Sequence, residues 1–116
     1  MVFVAVLGEL EQAVMDILWR RGEPLPVRDV QGLLAEDREL AYTTVMTVLD
    51  RLSKKGVVRR ELEGRAWLYR PATTRADLFA EEIVTLLNSG TLEQRHDVWA
   101  AVNAKLGHEM LEEPAG

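Results

Sequence analysis

The sequence contains no cysteine. That excludes disulfides, thiolate metal sites, thiol nucleophiles and thiol redox sensing together, and it fits a reducing compartment. Histidine is nearly absent. His96 and His108 are the only two, and they lie about 120° apart around a helix, so they are expected to be solvated surface groups rather than a metal or acid–base pair. The eight glycines show no G-x-G-x-x-G or G-x-x-x-x-G-K spacing, which removes the usual phosphate cradle. Ser53 and Ser89 have no histidine near them in sequence, so no activated nucleophile is suggested. Long hydrophobic runs are also missing. The longest, Met1 to Leu7, is far short of the roughly 20 residues that cross a bilayer. It also lacks the basic start and small-residue cleavage site of a secretory signal. These absences suggest a protein that is not an enzyme, uses no cofactor or metal and does not span a membrane.

What is present is ordinary in bulk and uneven in placement. The 116 residues suffice for one domain, or one domain with a helical appendage, and can bury a core without a staple. The net charge is −5, which by itself argues against a polyanion partner. Its distribution argues otherwise. Residues 1–37 carry three basic and seven acidic side chains, net −4. Residues 38–70 carry eight basic against four acidic, net +4, and residues 71–116 three against eight, net −5. A basic middle between acidic ends suggests a surface that meets polyanion; a chance cluster of solvated charges is the alternative.

Periodicity supplies the elements. Leu10, Val14, Ile17 and Leu18 form one stripe of a helix from about Glu9 to Arg21. Gly22 is its stop, and Pro24 cannot continue it. A second helix is expected from about Pro26 to Ala35, burying Val27, Val30, Leu33 and Leu34. Gly32 within it marks either close packing or a tolerated weakness. A third helix is expected from Ala41 or Tyr42 to Lys55, with Val45, Val48, Leu49 and Leu52 inside and Gly56 as the stop. Two extended runs follow, Val57 to Glu61 and Ala66 to Arg70, joined by a turn around Gly64. Trp67 and Tyr69 share one face of this hairpin and are expected to pack on the helices rather than stack on bases. Two more helices are expected at about 74–88 and 91–106, each opened by a capping-box pattern, Thr74 with Asp77 and Thr91 with Gln94. Met1 to Val6 reads equally as a strand or an arm, and His108 to Gly116 as a frayed tail.

Three helices followed by a hairpin make a winged helix-turn-helix, a mostly α fold with a small β wing, here extended by C-terminal helices. In that fold the third helix enters the major groove. Its outer face carries Tyr42, Thr43, Thr44, Met46, Thr47 and Arg51. Threonine is a poor helix former, so three in five positions suggest base-edge contact, with capping and filler as the alternative. Arg51, Lys54, Lys55 and Arg65 are candidate phosphate contacts. The division expected is a DNA-binding domain over residues 1–72 and a dimerisation region over 73–116. Phe79, Ile83, Leu86, Leu87, Val98, Trp99 and Val102 would pair across a two-fold axis on a palindromic DNA site. A winged-helix module that binds proteins without specific DNA affinity is the alternative function, and a hydrolase a distant third.

The residues also carry a family resemblance. Leu7-Gly8-Glu9-Leu10-Glu11 with Val14-Met15 and Leu18-Trp19, then Val27-Arg28-Asp29-Val30, resemble the first two helices of the penicillinase-repressor (BlaI/MecI) family. The run Ala41 to Leu52 with Lys54-Lys55-Gly56 is similar to its recognition helix, and Gly64-Arg65, Tyr69 and Pro71 to its wing. The resemblance covers about residues 7–72. It implies a bacterial cytoplasmic repressor that binds double-stranded operators as a homodimer through C-terminal helices. It further implies release when an upstream membrane sensor protease is triggered. The family's copper-responsive branch uses a C-terminal cysteine cluster and is excluded here.

Overall fold

The computed structural model describes residues 7–107. The arm or strand expected at residues 1–6 and the tail expected from His108 lie outside the described residues. Along the chain run α1 (Glu9–Arg21), β1 (Leu25–Pro26), α2 (Val27–Leu34), α3 (Tyr42–Lys54), β2 (Val58–Glu63), β3 (Ala66–Pro71), α4 (Arg75–Leu87) and α5 (Leu92–Leu106). The strands form one antiparallel sheet in the order β1-β3-β2. This is a winged helix followed by two further helices.

Local chemistry accounts for most boundaries. Glu9 and Glu11 lie in the first turn of α1 and Arg20 and Arg21 in its last, each sign facing the opposite pole of the helix dipole. Gly22 stops α1 in the left-handed region at φ 69°, its N–H reaching the Leu18 carbonyl at 3.2 Å. Gly56 turns the chain out of α3 at φ 81°, a conformation that penalises any Cβ. At α4, the Thr74 hydroxyl accepts from the Asp77 N–H at 3.0 Å. At α5 the capping box is complete: the Thr91 hydroxyl accepts from the Gln94 N–H, and the Gln94 side chain accepts from the Thr91 N–H at 2.8 Å.

Strand β1 is an addition to the expected elements. Leu25 pairs with Tyr69 and Pro26 with Leu68. Two residues carry no period, so this edge pairing has no local signature. An edge is also where proline is tolerated in a sheet. Pro26 accordingly sits ahead of α2 in extended backbone, φ −76° and ψ 162°, rather than in the helix's first turn. Gly32 meets open space where a Cβ would stand, so of its two readings, close packing or a tolerated weakness, the second holds.

The core is built from Val14, Met15, Ile17 and Leu18 of α1, Val27, Val30 and Leu34 of α2, and Val45, Val48, Leu49 and Leu52 of α3. Leu25, Val57, Val58, Tyr69 and Leu78 close it. Leu10, expected inside, packs at the margin, while Met15 is fully buried. Trp67 corrects another expectation. It shares a face with Tyr69 through the cross-strand pairs Leu62–Trp67 and Arg60–Tyr69. Yet Tyr69 is buried and Trp67 is 42% exposed, because the hairpin outruns the core before Trp67 is reached.

The chain divides into two compact units, one running through to Phe79 and the other beginning at Ala80. The expected division after Ala72 falls inside the first unit. Leu78 is buried in that unit's core, the Phe79 ring lies 6.4 Å from that of Trp19, and the Trp19 indole N–H donates to the Thr73 carbonyl at 2.9 Å.

Candidate nucleic-acid interface

Helix α3 presents its apolar stripe inward, which leaves the opposite face in solvent. Tyr42, Thr43, Met46, Thr47 and Arg51 are exposed there and Thr44 is half-buried. The five sequence-predicted readers therefore lie together on one helix face, with Arg51 a turn beyond them. The Thr47 hydroxyl donates to the Thr43 carbonyl at 2.8 Å. That back-bond commits its proton and leaves a methyl group and acceptor lone pairs pointing outward.

The four candidate phosphate contacts divide into two kinds. Arg51 on α3 and Arg65 at the hairpin tip are exposed and have no ion-pair partner among the described residues. The neighbouring Asp50 is occupied by others: it binds Lys54 at 3.1 Å and lies 4.0 Å from Arg60 on β2. The Lys54 pair is solvent-exposed and contributes little to stability. Lys55 is different. Its ammonium bridges both oxygens of Glu11 at 2.9 Å, and the Glu11 side chain is only 12% exposed. Burial pushes the Glu11 carboxyl up. The Lys55 hydrogen bond, the Gly8 N–H at 3.0 Å and the charges of Lys55 and Arg51 outweigh that and hold it below the usual carboxylate value. Lys55 is thereby tied to the start of α1.

Arg28, Arg60 and Trp67, none of them a candidate in the sequence, stand beside this face. Arg28 stands exposed in the first turn of α2. With Tyr42, Met46, Arg65 and Trp67 it lines a cleft of about 390 Å³ between the helices and the hairpin. The expected dimerisation residues are not all alike either. Ile83, Leu86, Val98 and Trp99 are exposed, and Leu87 and Val102 half-buried. Phe79 instead belongs to the first unit, held between Trp19 and the Arg75 guanidinium 4.7 Å from its ring centroid. Among the described residues, no group of His, Asp or Glu side chains is placed to hold a metal ion.

Comparison with known proteins gives a consistent set of relatives. Residues 7–113 match the penicillinase repressor family. The chain is 52% identical over 81 residues to the transcriptional regulator BlaI of Mycobacterium tuberculosis, spanning 70% of this chain and 59% of that protein's length. It is 28% identical over 89 residues to the penicillinase repressor of Bacillus licheniformis, spanning 74% of this chain and 69% of that one. Among solved structures it is similar to B. licheniformis BlaI in monomeric form bound to the blaP half-operator, with TM-score 0.53, 27% identity, and coverage of 66% of this chain and 93% of that one. It is likewise similar to the DNA-binding domain of the repressor BlaI, with TM-score 0.56, 27% identity and the same coverage.

Proposed function

The chain belongs to the penicillinase repressor family, and from that membership we propose that it is a DNA-binding transcriptional repressor. Helix α3 lies in the major groove, Thr43, Thr44, Met46 and Thr47 meet base edges, and Arg51, Lys54 and Arg65 meet phosphates. The carrying observation is one of placement. The outward face of α3 and the hairpin tip hold Arg51 and Arg65 without carboxylate partners among the described residues, beside a row of threonines, in a fold similar to that of BlaI on its half-operator.

The same reading makes the protein a homodimer on a palindromic site. Among the described residues beyond Ala80, seven large apolar side chains are exposed, Trp99 among them at 51%. A lone winged helix contacts few base pairs, so pairing these faces joins two half-sites. No described helix is long and apolar enough to cross a membrane, and the proposed place of action is the cytoplasm. An upstream sensor protease as the releasing partner follows from the family alone.

The experiment is selection of bound sequences from a random DNA pool, then affinity against salt. Thr44→Ala is expected to weaken the selected site by about 1–3 kcal/mol and random DNA little. Arg65→Ala is expected to lower the slope of log K against log salt by about one unit. A chain that enriches no sequence and shows no salt-dependent DNA affinity is the protein-binding module instead.

A further inference from the structure

The first unit hides its apolar side chains well, with one exception. Its exposed large hydrophobics among the described residues are Tyr42, Met46, Leu62 and Trp67, and all four belong to α3 or the hairpin. None lies on α1 or α2. Leaving an indole in water is unfavourable, and here a cation lies against it. The Arg60 guanidinium stacks 4.5 Å from the Trp67 ring centroid, and Arg60 in turn leans toward Asp50 of α3 at 4.0 Å. Trp67 is therefore braced from the helix side, across the hairpin, in a position that its own core does not need.

The cleft beside it has a defined character. Its walls include Met46 and Tyr42 on one side and Trp67 on the other, with Arg28 and Arg65 as cations and Asp29 as an acid. Of the two elements that form it, α3 is proposed to enter the major groove and the hairpin to reach the adjoining phosphate backbone through Arg65. Between a major groove and the neighbouring minor groove runs one sugar–phosphate strand. That strand alternates an apolar, C–H-rich deoxyribose with an anionic phosphate, which matches apolar walls set between arginines.

We propose that Trp67 is a DNA-positioning residue that packs its indole against the deoxyriboses of the strand lying between α3 and the hairpin, with Arg28 and Arg65 on the flanking phosphates. The contact is apolar and reads no base. This inference rests on the DNA-binding reading above, and its test is separable from it.

Removing one buried indole face is worth on the order of tenfold in affinity. Trp67→Ala is therefore expected to weaken binding about tenfold on the selected site and on random DNA alike. The salt slope stays unchanged because no charge is lost. Trp67→Phe restores most of the affinity. The full chain labelled with 5-fluorotryptophan gives three sites, Trp19, Trp67 and Trp99, and the Trp67 signal is assigned by its absence in Trp67→Phe. Titration with DNA is expected to shift that signal. DNA binding with an unshifted Trp67 signal and an unchanged Trp67→Ala affinity overturns the inference while the DNA-binding reading stands. Weakening confined to the selected site overturns it as well, by making Trp67 a base reader. An absence of any DNA binding, with all three signals unmoved, overturns both readings.

Discussion

The two compact units use apolar residues in opposite ways. Every buried hydrophobic among the described residues lies at or before Leu78, and none lies beyond Ala80. Helices α4 and α5 nevertheless repeat large apolar residues at helical spacing. Ile83 and Leu87 are spaced as helix neighbours, as are Val98 and Val102, and α5 has no buried residue at all. Periodicity thus identifies a face that needs covering, but it is silent on what covers it. In the first unit the cover is another part of the same unit. In the second, the proposed cover is a second copy, since exposed apolar faces of this extent are unusual on monomers.

The comparison breaks most sharply in the core. Leu52→Ala, at a fully buried position of α3, is expected to lower unfolding stability by about 2–5 kcal/mol, read as a shift of the urea midpoint. A loss below about 1 kcal/mol would mean that the first unit is not the cooperative core. Trp99→Asp probes the other side. It is expected to leave that core's near-ultraviolet signal intact and to weaken self-association at least about a hundredfold, because an unpaired charge would be buried at the contact. Sedimentation equilibrium reads this directly. A wild-type chain that is already monomeric at micromolar concentration removes the proposed dimer.

A smaller effect sharpens the first unit alone. Glu11→Gln is expected to cost about 1–2 kcal/mol at neutral pH, since it removes a charged partner from Lys55. The Glu11 carboxyl is held below its ordinary value near 4.5, so its contribution is full above that value. It is lost as pH falls through the lowered folded value. The difference between wild type and Glu11→Gln should therefore shrink in urea titrations taken below pH 4.5. A difference that grows in acid contradicts the pair. The smallest effect has the opposite sign. Gly32→Ala enters open space on an exposed helix position and should stabilise α2 by about 0.5–1 kcal/mol, visible as a higher melting temperature.

By itself the sequence determined what depends on neighbours a few residues away. The Val45, Val48, Leu49 and Leu52 stripe is buried as its spacing required. Gly22 ends α1, and Thr91 with Gln94 caps α5, because stripes, stops and caps are set within a turn or two of helix. The same locality makes the outer face of α3 legible, as the complement of its inner one. Only the tertiary structure decided the rest. Glu11 and Lys55 are 44 positions apart, so no local pattern announces their bond. Leu25 meets Tyr69 through the folding of the hairpin onto the helices. Trp67 and Tyr69 obey one alternation, but alternation says which way a side chain points, not how far along the strand the core extends. That distance is fixed by the helices packed beneath it, which is why one ring is buried and the other waits in solvent beside α3.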